Sequence, residues 1–275
     1  MATVTKDHWS AEDYQHSASF VPKLAGEVIQ WLDLQQDDIL LDIGCGDGVL
    51  DDYFAKITAN GNGRVYGIDS SAKMIEAAKK AVNGATNCEF QVWDATELGS
   101  CPPLRQIPFT KVFSNAAMHW ILRPESKRSS FFRGVRDVLQ PNGLFVFEMG
   151  GLGNVSEMRM ALLMAASRRI GLEAAQKADP WFFPDEKWIV DTLENKVGGW
   201  KVERIERVWR PTPADQGGVD GWIRLMGQCF FDAVPEAQRE DCKQEAIETA
   251  QVVCMNPSGG EMLSYVRLRC IARKL

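Results

Sequence analysis

The stretch Leu41-Asp42-Ile43-Gly44-Cys45-Gly46-Asp47-Gly48 constrains this chain more than any other. An apolar run, Ile39–Ile43, ends in three glycines at alternate positions, and a helical pattern follows. Glycine lets the backbone turn tightly and meet a ligand with no Cβ in the way. A strand entering a helix through such a turn is the start of a βα unit, and ligands of parallel sheets gather outside the carboxyl ends of the strands. The spacing is G-x-G-x-G, with Val49 where the dinucleotide fingerprint G-x-G-x-x-G needs its third glycine. A nicotinamide cofactor loses weight on that ground. A strand-to-helix turn of this kind can also be purely structural.

The segments after it repeat the alternation. Strand patterns fall at Arg64–Asp69, 88–93, 111–115 and 144–149, with turns Asn60-Gly61-Asn62-Gly63 and Pro141-Asn142-Gly143 before the first and last of these. Helical spacing marks residues 20–34, 71–82 and 129–139. Strands alternating with helices of this length predict right-handed crossovers and a doubly wound, mainly parallel α/β sheet. The second half differs. A Met- and Ala-rich helix is predicted over 155–170, then the aromatic break Trp181-Phe182-Phe183-Pro184 and a helix over 185–193. Strand alternation returns at 200–209 and 263–273, and 220–253 reads as helical with Pro235 interrupting. The expected organisation is a cofactor-binding half over 1–150 and, over 151–275, the last two strands plus a helical cap inserted before the final strand. Met158, Met160 and Met164 either line an adaptable pocket or pack in the core.

Composition narrows the function classes. With 275 residues the chain has room for one large domain or a domain plus a cap. Lys+Arg is 31 against Asp+Glu 37, a formal charge of -6. That argues against a nucleic-acid backbone or an anionic membrane as main partner. No apolar stretch reaches the roughly 18 residues of a membrane span, and residues 1–9 lack the basic-then-apolar order of a secretory signal. Seven cysteines with no C-x-x-C pair predict reduced thiols in a cytoplasmic protein. His8, His16 and His119 have no metal-ligand spacing, so no metal is expected.

Several residues can carry chemistry beside the glycine turn. Asp69 ends the second strand, where a carboxylate can accept from both ribose hydroxyls of an adenosine. Asp94 ends the third, where it can take an adenine amino group or cap the helix that follows. Met74 and Trp93 can cover adenine faces or pack in the core, and Ser70 or Ser71 suits a helix N-cap. His119 is the only histidine near these motifs; it serves as a base or packs beside Trp120.

Asp42–Gly48, Gly67-Ile68-Asp69-Ser70-Ser71, Asp94, Ser114–Trp120 and Leu139-Gln140-Pro141-Asn142-Gly143, in this order, resemble the motifs of class I methyltransferases that use S-adenosylmethionine. Ser114-Asn115-Ala116-Ala117-Met118-His119-Trp120, the aromatic segment at Pro184, the long insertion before the last strand and the ending Arg269-Cys270-Ile271-Ala272-Arg273 resemble trans-aconitate methyltransferases, as do Trp9, Tyr14 and Ser17. The resemblance implies a Rossmann-like sheet of seven strands. It implies that Gly44, Gly46 and Gly48 border the methionine part of the cofactor, with Asp42 and Ser70 among the contacting residues. It also implies that Asp69 holds the ribose, Asp94 the adenine, and that Asn115 brings backbone to the cofactor's amino group. His119 and Trp120 are implied beside the transferred methyl. The segment around Tyr14 and the late helical insertion are expected to enclose the acceptor, with Trp222 at helical spacing either walling that pocket or packing in the core. No arginine is assigned to a substrate carboxylate.

The expected function is methyl transfer to a small molecule, most simply a carboxylate, which is ionised at pH 7 and needs no base. The alternatives are a nitrogen, sulfur or hydroxyl acceptor, a protein that binds the cofactor without transferring its methyl, or a nucleotide-dependent oxidoreductase.

Overall fold

The computed structural model describes residues 25–275, so Trp9, Tyr14 and Ser17 lie outside the described residues. The first elements are α1 (Gly26–Leu32), β1 (Ile39–Ile43), α2 (Val49–Thr58), β2 (Arg64–Asp69), α3 (Ala72–Ala81) and β3 (Cys88–Val92). After a 3-10 segment at Ala95–Ser100 come α4 (Pro102–Arg105), β4 (Phe109–Asn115), α5 (Met118–Ile121), α6 (Glu125–Val138) and β5 (Leu139–Gly150). Then follow α7 (Ser156–Ile170), α8 (Leu172–Ala178), α9 (Glu186–Val190), β6 (Trp200–Pro213), α10 (Gly218–Met226), α11 (Gln228–Ala233), α12 (Arg239–Cys254) and β7 (Met262–Lys274).

The strands form one seven-stranded sheet in the order β3-β2-β1-β4-β5-β7-β6. The pairs β3–β2, β2–β1, β1–β4 and β4–β5 are parallel, and β7 runs antiparallel to β5. Parallel neighbours need crossovers of a dozen or more residues, which the helices between them supply. From β1 the chain moves out to β2 and β3, then returns to β4 on the other side. That reversal opens a crevice at the carboxyl ends of β1 and β4.

Side chains alternate across the sheet and build a core on each face. Leu40, Val65, Phe113 and Val146 pack with Val28, Trp31 and Leu32 of α1 and Phe54 of α2. Their neighbours Leu41, Ile43, Val112, Phe145 and Phe147 turn the other way, into a cluster with Phe131, Phe132 and Val135 of α6. Continuous apolar runs such as β1 follow from this burial on both faces. Truncating one of the fully buried rings, for instance Phe132, costs about 3–5 kcal/mol.

Three elements differ from the sequence pattern. Strand β5 begins at Leu139, and the turn Pro141–Gly143 lies inside it as an irregularity: the pairing shifts between Phe109 and Lys111, and Asn142 has φ 63°. The helical stretch 220–253 is broken twice, after Gly227 and again at Pro235. Helix α8 starts straight after Gly171, whose φ is 81°, and breaks from α7 there.

The described residues divide into two compact units. Of the described residues, one holds 25–152, Phe182–Val208 and Arg267–Leu275; the other holds Gly153–Trp181 and Trp209–Val266. In the second, α7 packs against α8 and α12, and α10 against α12. Trp222 is buried there, 5.9 Å from the Trp181 ring, and its indole N–H donates to the Tyr265 hydroxyl at 2.6 Å. No helix among the described residues is long and apolar enough to cross a membrane.

Candidate active site

The glycine turn closes against the end of β2. The amides of Gly44 and Cys45 both donate to the Ile68 carbonyl, at 2.8 and 3.1 Å. Gly44, Gly46 and Gly48 have φ of 72°, 59° and 76°, the left-handed region that glycine enters without strain. Their surroundings differ. A Cβ on Gly44 would fall 2.2 Å from Ala117 Cβ, and one on Gly48 would fall 2.8 Å from the Ala78 backbone. A Cβ on Gly46 would meet nothing within 4 Å among the described residues. Gly44 and Gly48 are therefore packing glycines, whereas Gly46 leaves a bare stretch of backbone beside open space.

Carboxylates surround this turn. Asp69 Oδ2 accepts from the Gly46 amide at 3.1 Å and Oδ1 from the Ser71 amide at 2.8 Å. Asp42 and Asp51 are buried, and Asp47 nearly so. Burial, then the charges of Asp51 and Asp69, raises the Asp42 carboxyl well above the usual range. Burial pushes Asp51 up to about 8, and its carboxyl lies against that of Asp42. The Asp42–Asp51 pair thus keeps a proton at neutral pH. Asp52, in the first turn of α2, sets a carboxylate at this helix start, which disfavours a pyrophosphate there. The site suits a ligand without phosphates.

The expected adenosine-side residues lie along the ends of β2 and β3. Ser70 is exposed, and Ser71 caps α3 by accepting from the Met74 amide at 3.2 Å. Met74 is buried. Trp93 is half-buried against the α6-side core, with its indole N–H donating to the Glu97 carbonyl at 3.3 Å. Asp94 is exposed and its Oδ1 accepts from the Thr96 amide at 2.8 Å, so it caps the 3-10 segment.

At the end of β4, Asn115 is followed by Ala116 in the left-handed region at φ 58°. The Ala116 amide donates to the Glu148 carbonyl at 2.8 Å, which bends the chain into α5. That bend places Ala117 against Gly44 and buries His119. His119 Nδ1 accepts from the Gly150 amide at 3.3 Å, so the neutral ring carries its proton on Nε2. Burial, and then the charge of Arg267, holds His119 well below the ordinary imidazole value. Its ring centroid lies 5.7 Å from those of both Trp120 and Phe183.

Comparison with known proteins agrees with this geometry. Residues 40–143 match a family described as a methyltransferase domain. The chain is 38% identical, over 98% of its length and 99% of the relative's, to an uncharacterized methyltransferase of Schizosaccharomyces pombe. This chain is a class I methyltransferase. S-adenosylmethionine is its cofactor. The methyltransferase is also 29% identical, over 97% of its length and 99% of the relative's, to a trans-aconitate 2-methyltransferase of Rhizobium leguminosarum. Its fold is that of a SAM-dependent methyltransferase from Anabaena variabilis, with TM-score 0.58 at 12% identity, covering 93% of this chain and 85% of that one.

Sequence reasoning passed over one buried cluster in this methyltransferase. Glu148 of β5 accepts from Arg267 Nε at 2.9 Å and from Arg269 Nε at 2.6 Å. Arg269 also pairs with Glu206 at 2.9 Å and with Glu27. All three residues of the centre, Glu148, Arg267 and Arg269, are buried. The alternation over 263–273 puts both arginines on one face of β7, but their carboxylate lies more than a hundred residues away in sequence. The acceptor-side expectations divide. His119 and Trp120 stand together, Trp222 lies within the core of the helical unit, and Tyr14 lies outside the described residues.

Proposed function

We propose that this methyltransferase methylates a carboxylate oxygen of a small molecule. The observation that carries the reading is His119. It is the one imidazole among the described residues, it is neutral, and its basicity is depressed by burial and by Arg267. It is a poor proton acceptor at neutral pH and a good hydrogen-bond donor through Nε2. An amine, hydroxyl or thiol acceptor commonly needs a proton removed; a carboxylate does not. The likeness to a trans-aconitate 2-methyltransferase supports the same class of acceptor.

When bound, S-adenosylmethionine supplies an electrophilic methyl group on a sulfonium. The residues of the chain bind and orient. The bare backbone at Gly46, with Gly44, Gly48 and Asp42 around it, receives the methionine part. Asp69, braced by the Gly46 and Ser71 amides, faces the ribose hydroxyls, with Ser70 beside it. Asp94 takes the adenine amino group through the oxygen that does not cap, and Met74 and Trp93 flank the ring. Asn115 brings the end of β4 to the cofactor's amino group. Trp120, beside His119, adds an apolar wall that excludes water, leaving alignment to supply most of the rate.

The test is incubation with isotopically labelled cofactor, first with trans-aconitate and then with a metabolite extract, followed by mass identification of the product. A methyl ester releases its label as methanol in alkali. Label that stays fixed in alkali, on nitrogen, sulfur or an ether oxygen, rejects the reading.

A further inference from the structure

We infer that Arg128 is a positioning residue for the acceptor side, holding in place the turn that carries His119 and Trp120. The inference rests on the reading above that sets those two rings beside the acceptor, and it adds the group that keeps them there. That turn, α5, has only four residues and begins after Ala117, which has no side chain to cap it. A single helical turn fixes several dihedrals for very few bonds, so it does not hold by itself. Its entry is fastened. The Ala116 amide bonds to the Glu148 carbonyl, and Ala117 packs on Gly44. Its exit presents carbonyl groups, which need donors from outside the turn.

Arg128 supplies those donors from α6. Its Nε donates to the Leu122 carbonyl at 2.8 Å and its Nη2 to the Arg123 carbonyl at 3.4 Å. The same guanidinium lies over the Phe182 ring, 3.5 Å from the centroid, with the Trp188 ring 5.9 Å away. Phe182 in turn donates its amide to the His119 carbonyl at 2.9 Å, and the ring of its neighbour Phe183 lies 5.7 Å from that of His119. One cation thus joins the end of α5 to the aromatic segment beside His119. Helix α6 does not account for its place. Arg128 stands at the fourth position of that helix, near the end where positive charge is disfavoured. A planar guanidinium can stack with its face while donating from its edge, which an ammonium cannot do.

The experiment uses the full chain and needs no identified acceptor. Arg128→Gln should speed hydrogen exchange at the amides of Ile121, Leu122 and Phe182 by about tenfold or more, leaving Val112 of β4 and Phe147 of β5 as they were. The ring nitrogen shifts of His119, which report the Gly150 bond at Nδ1, should move toward a mixture of tautomers. Affinity for S-adenosylhomocysteine should stay within about twofold, while label transfer in the metabolite extract falls by about tenfold or more. Arg128→Lys keeps the charge without the stack and should recover part of the rate. Phe182→Leu leaves both guanidinium bonds in place, guards against a folding defect peculiar to Arg128, and should hasten the same amides. Unchanged exchange at those amides in folded Arg128→Gln overturns the inference. So does exchange hastened at Val112 and Phe147 as well, with the His119 shifts unmoved. If the local exchange responds but the wild-type product keeps its label in alkali, the positioning role stands and the carboxylate reading fails. If the product releases its label as methanol but the exchange does not respond, the carboxylate reading stands and the positioning role fails.

Discussion

The Gly46 amide donates to Asp69 Oδ2 across 3.1 Å, joining two residues 23 positions apart. The glycine turn and the end of β2 are thereby one rigid piece, and Asp69 both braces the turn and presents its carboxylate outward. Asp69→Ala removes both functions. It should lower affinity for S-adenosylhomocysteine by about 1.5–3 kcal/mol in calorimetry. Asp94→Asn should cost less, because the amide keeps the oxygen that caps Thr96. A larger loss in Asp94→Asn than in Asp69→Ala, with both folded, would reverse the two roles.

Glycine substitutions should separate packing from binding. Gly44→Ala meets Ala117 Cβ at 2.2 Å as well as a left-handed backbone, so it should lose about 2–4 kcal/mol of stability in denaturant unfolding. Gly46→Ala meets no neighbour among the described residues and should lose only about 1–2 kcal/mol. Its methyl group instead enters the space proposed for the cofactor. Cofactor affinity should therefore fall more than stability does, and equal stability losses in the two variants would contradict the division.

Asp51 gives a pH prediction. Its carboxyl holds a proton up to about 8 in the folded chain, while an unfolded aspartate loses it near 3.9. Between those values the native state binds more protons than the unfolded state, so this group's contribution to stability falls as pH rises and levels off above 8. Asp51→Asn removes the effect. The variant should melt higher than the wild type at pH 8, and the gap should shrink toward pH 5, with a limiting slope of about 1.4 kcal/mol per pH unit. A gap independent of pH would mean that Asp51 is not the group that holds the proton.

His119→Gln should keep most of kcat with a carboxylate acceptor, since the amide can supply a donor and no base is needed. Single-turnover rates should stay nearly flat from about pH 6 to 8 in both proteins. A rate climbing tenfold per pH unit and lost in the variant would make His119 a base.

The glycine turn, the five parallel strands and the crossover helices were legible because each rests on local signals: alternation, spacing, turn residues. Asp69 was legible for the same reason, as the last residue of a recognisable strand. Asp51 was not, because at the start of an exposed-looking helix Val49-Leu50-Asp51-Asp52 reads as ordinary N-terminal acid; only the fold reveals that it faces Asp42. Arg267 was hidden differently. In a strand that alternates, an arginine reads as solvent-facing, and its burial depends on Glu148, 119 positions earlier. The bend at Ala116 has no sequence mark either, since alanine seldom takes positive φ and is held there by the surrounding bonds.

Protein synthesis runs in one direction, and the Glu148 cluster is split across it. Glu148 is made 119 and 121 positions before its two guanidinium partners. Until those residues leave the ribosome, β5 carries a carboxylate whose place is in the interior and whose counter-ions do not yet exist. The cofactor half can collapse early, but it cannot close at β5 without an uncompensated charge. Ribosome-bound chains stalled before Arg267 should therefore stay protease-sensitive at β5, and a nonsense lesion in the last strand should remove the protein from the cell as effectively as one near its start.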